Sequence, residues 1–220
     1  MPAAVVFDLD GVLIDSEQLW ARARHELVLE AGGTWNDDAT RVMQGMSSVE
    51  WSRYLHDELR VGLAPAAISS AVVERMEKLY RARLPLLPGA GEAVASLAAR
   101  WPLGLASSAN REIIDLVLEL GGLGRFFRTT VSSEEVARGK PAADVYLEAA
   151  RRLGVPPTQC AAVEDSSSGL RAAAAAGMRV IALPNRAFPP DADALRAAAV
   201  VIDSLDDLRP ALIAGLSWPD

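Results

Sequence analysis

Six short apolar runs, none alternating with polar residues, recur along this 220-residue chain. They are Ala3 to Leu9, Leu103 to Ser107, Thr130 to Ser132, Cys160 to Glu164, Val180 to Leu183 and Val200 to Ile202. A strand wetted on one face alternates, whereas a strand covered on both faces reads as a near-continuous apolar stretch. Helical patterns separate most of these runs, over Glu92 to Arg100, Arg111 to Leu120, Ala142 to Leu153, Gly169 to Ala176 and Leu205 to Ala214. Strand, crossover helix, parallel strand is the repeating unit of a doubly wound α/β fold, and such a parallel sheet is the expectation here.

One segment breaks the rhythm. Between the first strand and Pro85 the pattern is almost wholly helical, with no convincing strand. Ser16 to Ala31 places Leu19, Ala23 and Leu27 at helical spacing and closes on Gly32-Gly33. Val49 to Leu59 and Ala66 to Leu84 continue it. Residues 16–85 are too many for a connecting loop, so they read as an inserted helical cap domain. The core is then residues 1–15 and 86–220. Pro85-Leu86-Leu87-Pro88-Gly89 is the expected return hinge, because paired prolines end the helix and stiffen the chain.

The formal charge of −7 argues against nucleic acid, which needs a basic face. A small anionic substrate stays open, since a local cation outweighs a distant net charge. The single cysteine, Cys160, excludes an internal disulfide framework and reads as a buried strand thiol. Met1 to Ile14 lacks a secretory signal pattern, and no segment approaches the roughly 20 apolar residues that span a bilayer. A cytoplasmic protein without membrane partners is expected, and a monomer.

The chemistry-bearing residues fall at the ends of the apolar runs. Asp8 and Asp10 close the first, Ser107 the second and Glu164-Asp165 the fourth, while Lys140 precedes a helix in Gly139-Lys140-Pro141. Ligands of parallel sheets collect at the carboxyl ends of strands, so one crevice can gather all of them. Asp8 is the candidate nucleophile, because a carboxylate can attack phosphorus and form an acyl-phosphate. Asp10 points the same way two residues on and is the candidate general acid and base. That role requires a carboxyl raised from its ordinary pKa of ~3.9. Carboxylates beside a phosphate need a cation, and Mg²⁺ takes oxygen ligands. Asp8, Asp165, the Asp10 carbonyl and Glu164 are the candidate metal ligands. Lys140, the Ser107 hydroxyl and the amides of Ser108 and Ala109 would hold the phosphate. Gly11 suits the sharp turn after Asp10. Each piece alone has a blander reading, as a surface lysine, a helix cap or a solvated turn. Their joint order and strand-end placement carry the case.

Those four motifs resemble the haloacid dehalogenase superfamily of phosphohydrolases, over nearly the whole chain. The run Asp8-Leu9-Asp10-Gly11-Val12-Leu13-Ile14-Asp15-Ser16-Glu17 is similar to the opening of the branch that holds sugar-phosphate phosphatases and β-phosphoglucomutases. The resemblance implies a Rossmann-like core with the cap inserted after the first motif. It also implies Asp8 as nucleophile, Asp10 as acid/base, Ser107 and Lys140 as phosphate binders, and Glu164 and Asp165 as Mg²⁺ ligands. Mutases of this branch carry a histidine on the first cap helix and an arginine after a Gly-x-Ser turn. Trp20 and Ser48 occupy those positions here. A phosphatase acting on a small phosphorylated metabolite, a sugar or polyol phosphate, is therefore expected, with a β-phosphoglucomutase-like isomerase as the alternative. A signalling receiver also keeps a phosphorylated aspartate and a lysine, but it lacks the cap.

The remaining residues read structurally. Trp20 reads as packing before sugar stacking. Arg22, Arg24, Arg41 and Arg53 read as solvated helix residues before substrate contacts. His25 and His56 lack metal-ligand spacing. Asn110 either orients the Ser107 loop or caps a helix.

Overall fold

The computed structural model describes residues 2–218. The chain opens with β1 (Ala4–Phe7), then runs through α1 (Glu17–Glu30), α2 (Ala39–Met43), α3 (Ser48–Asp57) and α4 (Pro65–Ala82) before any further strand. It continues as α5 (Ala90–Ala98), β2 (Leu103–Ser107), α6 (Arg111–Leu120), β3 (Phe127–Ser132), α7 (Asp144–Leu153), β4 (Cys160–Glu164), α8 (Ser167–Ala175), β5 (Arg179–Ala182), α9 (Ala192–Leu195), β6 (Val200–Val201) and α10 (Pro210–Gly215). The six strands form one sheet in the order β3-β2-β1-β4-β5-β6, and every pairing is parallel. β2 lies on one side of β1 and β4 on the other. The winding direction reverses there, which opens a crevice at the carboxyl end of β1.

The apolar runs form this sheet because both of its faces are covered. Val5, Phe7, Leu103, Leu105, Ala161, Val163 and Ile181 face one buried cluster. Ala4, Val6, Ala106, Val131, Cys160, Ala162 and Val180 face the other. β3 begins three residues earlier than its apolar signal, at Phe127. It is an edge strand whose first four residues are half-buried or exposed, so its polar Arg128, Thr129 and Thr130 hid it. The helix expected over Leu205 to Ala214 is broken instead. A short 3₁₀ turn, Leu205–Asp207, precedes α10, because Pro210 cannot continue a helix and starts a new one. The short helices α2 and α9 lay outside the sequence reading.

α1 to α4 lie between β1 and α5, within the segment expected to form the cap. α3 starts on a capping box in which Ser47 and Glu50 satisfy each other's backbone amides, and α4 starts with Pro65 at its first turn. Trp51, Met76 and Tyr80 are fully buried inside the cap, in a cluster continuous with the Phe7 face of the sheet. The two strands of chain joining cap and core run side by side. Asp15 N–H donates to the Pro85 carbonyl over 2.8 Å, and Leu87 N–H to the Leu13 carbonyl over 2.9 Å. The expected return hinge is thus braced against the outgoing segment.

Candidate active site

Strand register brings the acidic residues together. Phe7 pairs with Val163, and Asp8 N–H donates to the Val163 carbonyl over 3.0 Å, so Asp8 and Glu164 are the next residues on adjacent strands. Asp165 follows. Oxygens of Asp8, Glu164 and Asp165 all lie within 4.8 Å of one another, and all three residues are buried. Gly11 lets the chain turn over them: its φ is +77°, and a Cβ there would lie 2.0 Å from Asp165 Oδ2.

One buried ammonium answers these three carboxylates. Lys140 Nζ donates to Asp8 Oδ1 over 2.7 Å and to Glu164 Oε1 over 2.6 Å. Tyr146, on α7, donates its hydroxyl to the same Glu164 oxygen over 2.8 Å, and Lys140 sits 5.1 Å from the Tyr146 ring centre. The other Glu164 oxygen accepts from the amides of Asp165 and Ser166 and from the Ser166 hydroxyl. Glu164 is therefore held by hydrogen bonds on both oxygens. Helix α8 approaches it so closely that a Cβ on Gly169 would overlap the carboxylate. Ser166 then caps α8 by accepting from Gly169 N–H over 3.1 Å.

Burial raises Asp8 to about 8; Lys140 opposes that rise, while Glu164 and Asp10 add to it. Burial also pushes Asp165 well above the carboxylate range, with Glu164 and Asp8 adding to it. For Lys140, burial acts to lower the value, but Asp8 and Glu164 together hold it above the ordinary lysine range. A cluster of this kind holds protons unless a second cation supplements the lysine. The donor set is buried and consists of oxygen alone, which fits a hard divalent cation such as Mg²⁺.

Asp10 stands apart from this trio. It is half-buried, and its Oδ1 accepts from the Ser16 hydroxyl over 2.5 Å and from the Trp20 indole N–H over 3.0 Å. Ser16 precedes α1 but makes no side-chain cap, because its hydroxyl is committed to Asp10. Trp20 is buried against Trp51, with ring centres 6.2 Å apart. Packing was the right reading of Trp20, and its polar edge adds a bond to Asp10.

A narrow cavity, partly open to solvent, lies between core and cap. Asp8, Asp10, Ser108, Ala109, Lys140 and Asp165 line the core side, and Glu17, Trp20, Arg24, Gly45 and Trp51 line the cap side. Ser107 lies behind this wall, fully buried, with its hydroxyl accepting from Ala109 N–H over 3.0 Å. Ser108 donates its hydroxyl to the Gly45 carbonyl over 3.1 Å, a direct bond from core to cap. Asn110 makes no side-chain cap. Its amide donates to Glu134 over 2.8 Å, and Glu134 also accepts from the Ser48 hydroxyl over 2.6 Å. Glu134 so bridges core and cap, a role that no linear signal disclosed.

The cap arginines divide. Arg22 pairs with Glu26 and Arg41 with Asp38 on the surface, and Arg53 is exposed. Arg24 departs from the solvated reading. It is 5 % exposed, its guanidinium carbon sits 5.1 Å from the Trp20 ring centre and 5.2 Å from that of Trp51, and its Nε and Nη1 have no hydrogen-bond partner. His25 packs on Trp35, and His56 Nδ1 meets the Val61 and Leu63 carbonyls, both structural roles.

Fold and site together define a phosphohydrolase of the capped α/β kind, and comparison with known proteins places it. Residues 2–177 match the family of haloacid dehalogenase-like hydrolases. Hexitol phosphatase B of Escherichia coli strain K12 is 35% identical over 185 residues, covering 82% of this chain and 83% of that protein. Fructose-1-phosphate phosphatase YqaB of the same strain is 28% identical over 179 residues, covering 81% and 95%. The crystal structure of CbbY from Rhodobacter sphaeroides in complex with phosphate superposes with a TM-score of 0.85 at 28% identity, covering 97% of this chain and all of that one. The chain belongs to the haloacid dehalogenase-like hydrolase family. Within it, the protein is a phosphoric monoester hydrolase. Among the described residues no helix is long and apolar enough to cross a membrane.

Proposed function

We propose that this protein is a Mg²⁺-dependent phosphatase that removes the phosphate of a sugar or polyol phosphate through an aspartyl-phosphate on Asp8. One observation carries the reading: Asp8 and Asp10 face the same cavity in different company. Asp8 is bonded to Lys140, whereas Asp10 is held by Ser16 and Trp20 from the cap side. The first environment suits a nucleophile whose charge is balanced, the second a proton carrier aimed from the side of the leaving group.

In the first half-reaction an Asp8 carboxylate oxygen attacks phosphorus, the bond from phosphorus to the ester oxygen breaks, and Asp10 gives its proton to that oxygen. In the second half-reaction Asp10 takes a proton from water and the water oxygen attacks phosphorus. The bond from phosphorus to Asp8 then breaks, releasing orthophosphate and restoring the Asp8 carboxylate and the protonated Asp10. Lys140 balances charge on the phosphoryl group as it transfers. Ser108, which lines the cavity at the approach to α6, offers its amide to the phosphoryl oxygens, while Ser107 and the Ala109 amide, bonded to each other behind it, would reach them only once that bond opens. Asp8 and Asp165, with the Asp10 carbonyl and with Glu164 behind them, would hold Mg²⁺, which when bound supplies electrostatic stabilisation of the phosphoryl oxygens.

The positions where mutases of this branch resemble one another favour hydrolysis. Trp20 is bonded to Asp10, and the Ser48 hydroxyl is turned onto Glu134, so neither offers a cation to a second phosphate. Residues 16–85 serve as the lid, hinged at the paired segments near Asp15 and Leu87, and the enzyme works as a cytoplasmic monomer on a small phosphorylated metabolite. A phosphate-release screen over metabolite phosphates, with and without Mg²⁺, tests this. Asp8→Asn is expected to fold normally and release no orthophosphate. Hydrolysis at the wild-type rate by that variant would sink the nucleophile assignment.

A further inference from the structure

Tyr146 is fully buried on α7 and lies outside the cavity wall, yet its hydroxyl reaches the acidic cluster. Its buried neighbours on that helix, Val145, Ala149, Ala150 and Leu153, are all apolar. A phenylalanine would fill the same space, so the hydroxyl is the feature that needs a reason. It donates to Glu164 Oε1 over 2.8 Å, an oxygen that already accepts from Lys140 Nζ over 2.6 Å. The other Glu164 oxygen accepts from the amides of Asp165 and Ser166 and from the Ser166 hydroxyl. Glu164 is thus bonded at both oxygens without any help from Tyr146. The hydroxyl rescues no orphaned acceptor, and its effect falls on the donor that shares its oxygen, which is Lys140.

We propose that Tyr146 is a positioning residue for phosphoryl transfer, sharing the Glu164 oxygen with Lys140 and so leaving the ammonium available to Asp8 and the phosphoryl group. The inference rests on the phosphatase reading and adds a residue to the same site. An ammonium has three donors. One goes to Asp8 and one to Glu164, and Lys140 lines the cavity, so the third is the one that a phosphoryl oxygen can take. A carboxylate oxygen that accepts from two donors gives less to each, because either donor already offsets part of its charge. Without the hydroxyl, Glu164 would hold the ammonium more tightly. Part of that hold would then have to be given up as charge develops on the transferring group. The Tyr146 ring supports Lys140 from another side: Nζ lies 5.1 Å from its centre, a cation–π contact that uses up no donor.

The test is Tyr146→Phe, which keeps the ring and leaves Glu164 its bond from Lys140, assayed on p-nitrophenyl phosphate with saturating Mg²⁺. We expect kcat to fall about tenfold, the scale of one hydrogen bond to a charged group, and KM to change less than about twofold. Inhibition by orthovanadate, which adopts the five-coordinate geometry of the transition state, should weaken about tenfold, and inhibition by inorganic phosphate less than about twofold. The Mg²⁺ concentration for half-maximal activity should also stay within about twofold, since Glu164 keeps its other bonds. Tyr146→Met, whose flexible side chain suits the same apolar face, serves if Tyr146→Phe fails to fold. An unchanged kcat, or equal weakening of vanadate and phosphate inhibition, would make Tyr146 a packing residue and overturn the inference. A large rise in the Mg²⁺ requirement would overturn it too, by moving the effect from Lys140 to the metal. Absence of any Mg²⁺-dependent hydrolysis of p-nitrophenyl phosphate by the wild type would instead bring down the phosphatase reading beneath it.

Discussion

Trp20 donates its indole N–H to Asp10 Oδ1 over 3.0 Å, tying the candidate acid/base of the core to the first helix of the cap. The bond makes cap position and proton-carrier orientation one variable: displacing α1 removes a constraint from Asp10. Ser16 adds a second tie from the same segment. In the proposed mechanism, proton transfer by Asp10 is thus geared to the position of α1.

Trp20→Phe preserves most of the packing on Trp51 and deletes only the donor. We expect kcat to fall about tenfold, the effect of one hydrogen bond to a charged group, with little change in Tm. Steady-state kinetics beside a thermal melt separates the two quantities. A large drop in Tm with kcat intact would return Trp20 to a purely packing role.

Lys140→Met leaves Asp8 and Glu164 facing each other without their buried ammonium, whose side chain is 2 % exposed. Stripping one partner from a buried ion pair costs about 3–5 kcal/mol, so urea unfolding without Mg²⁺ should show a loss of that order. Turnover should fall by about 10²–10³, the scale of one lost electrostatic stabiliser. Unchanged stability would mean that the pair contributes nothing net to folding.

Gly11→Ala forces a Cβ into the space occupied by the Asp165 carboxylate, 2.0 Å away, at a φ of +77°. The left-handed backbone alone costs about 1–2 kcal/mol for a residue with a Cβ. The wild type should melt at a higher temperature when Mg²⁺ is added, since a ligand that binds only the folded state stabilises it. In the variant that Mg²⁺-dependent rise should be lost or much reduced. An undiminished rise would remove Asp165 from the metal assignment.

Burial pushes the Cys160 thiol up to about 11, and the thiolate is the reactive form. Raising the pKa of a thiol lowers its thiolate fraction at any pH below that value. At pH 8 the native protein should therefore react with a disulfide reagent at least about a hundredfold more slowly than the denatured chain, whose thiol titrates near ~8.5. Equal rates would place Cys160 at the surface.

Much of the site was legible because its residues sit at strand ends, and strand ends are marked by where an apolar run stops. Asp8, Asp10, Ser107 and the Glu164-Asp165 pair all lie at or just past the end of β1, β2 or β4. Lys140 was legible only through its motif, since a lysine after a glycine carries no sign of being buried. Tyr146 left no sign at all. It occupies a buried position on amphipathic α7 where any large apolar residue would fit the pattern. Its hydroxyl matters only because parallel pairing of β1 and β4 sets Glu164 beneath it. Arg24 was misjudged for a related reason: spacing identifies a helix face, but not whether water or another domain covers it.

The sequence by itself determined the layout: two-sided strands that had to be parallel and buried, a helical insertion too long for a loop, and acidic residues at the strand ends. Those are local facts of periodicity, length and order along the chain. Tertiary structure decided the partnerships, placing Lys140 between Asp8 and Glu164, Trp20 on Asp10, and Arg24 in the cavity wall with its Nε and Nη1 unbonded. Burial and hydrogen bonding depend on which distant segments cover a side chain. The desolvation of these groups therefore arises only when core segments distant in sequence, and for Trp20 and Arg24 the helices between β1 and α5, fold over them.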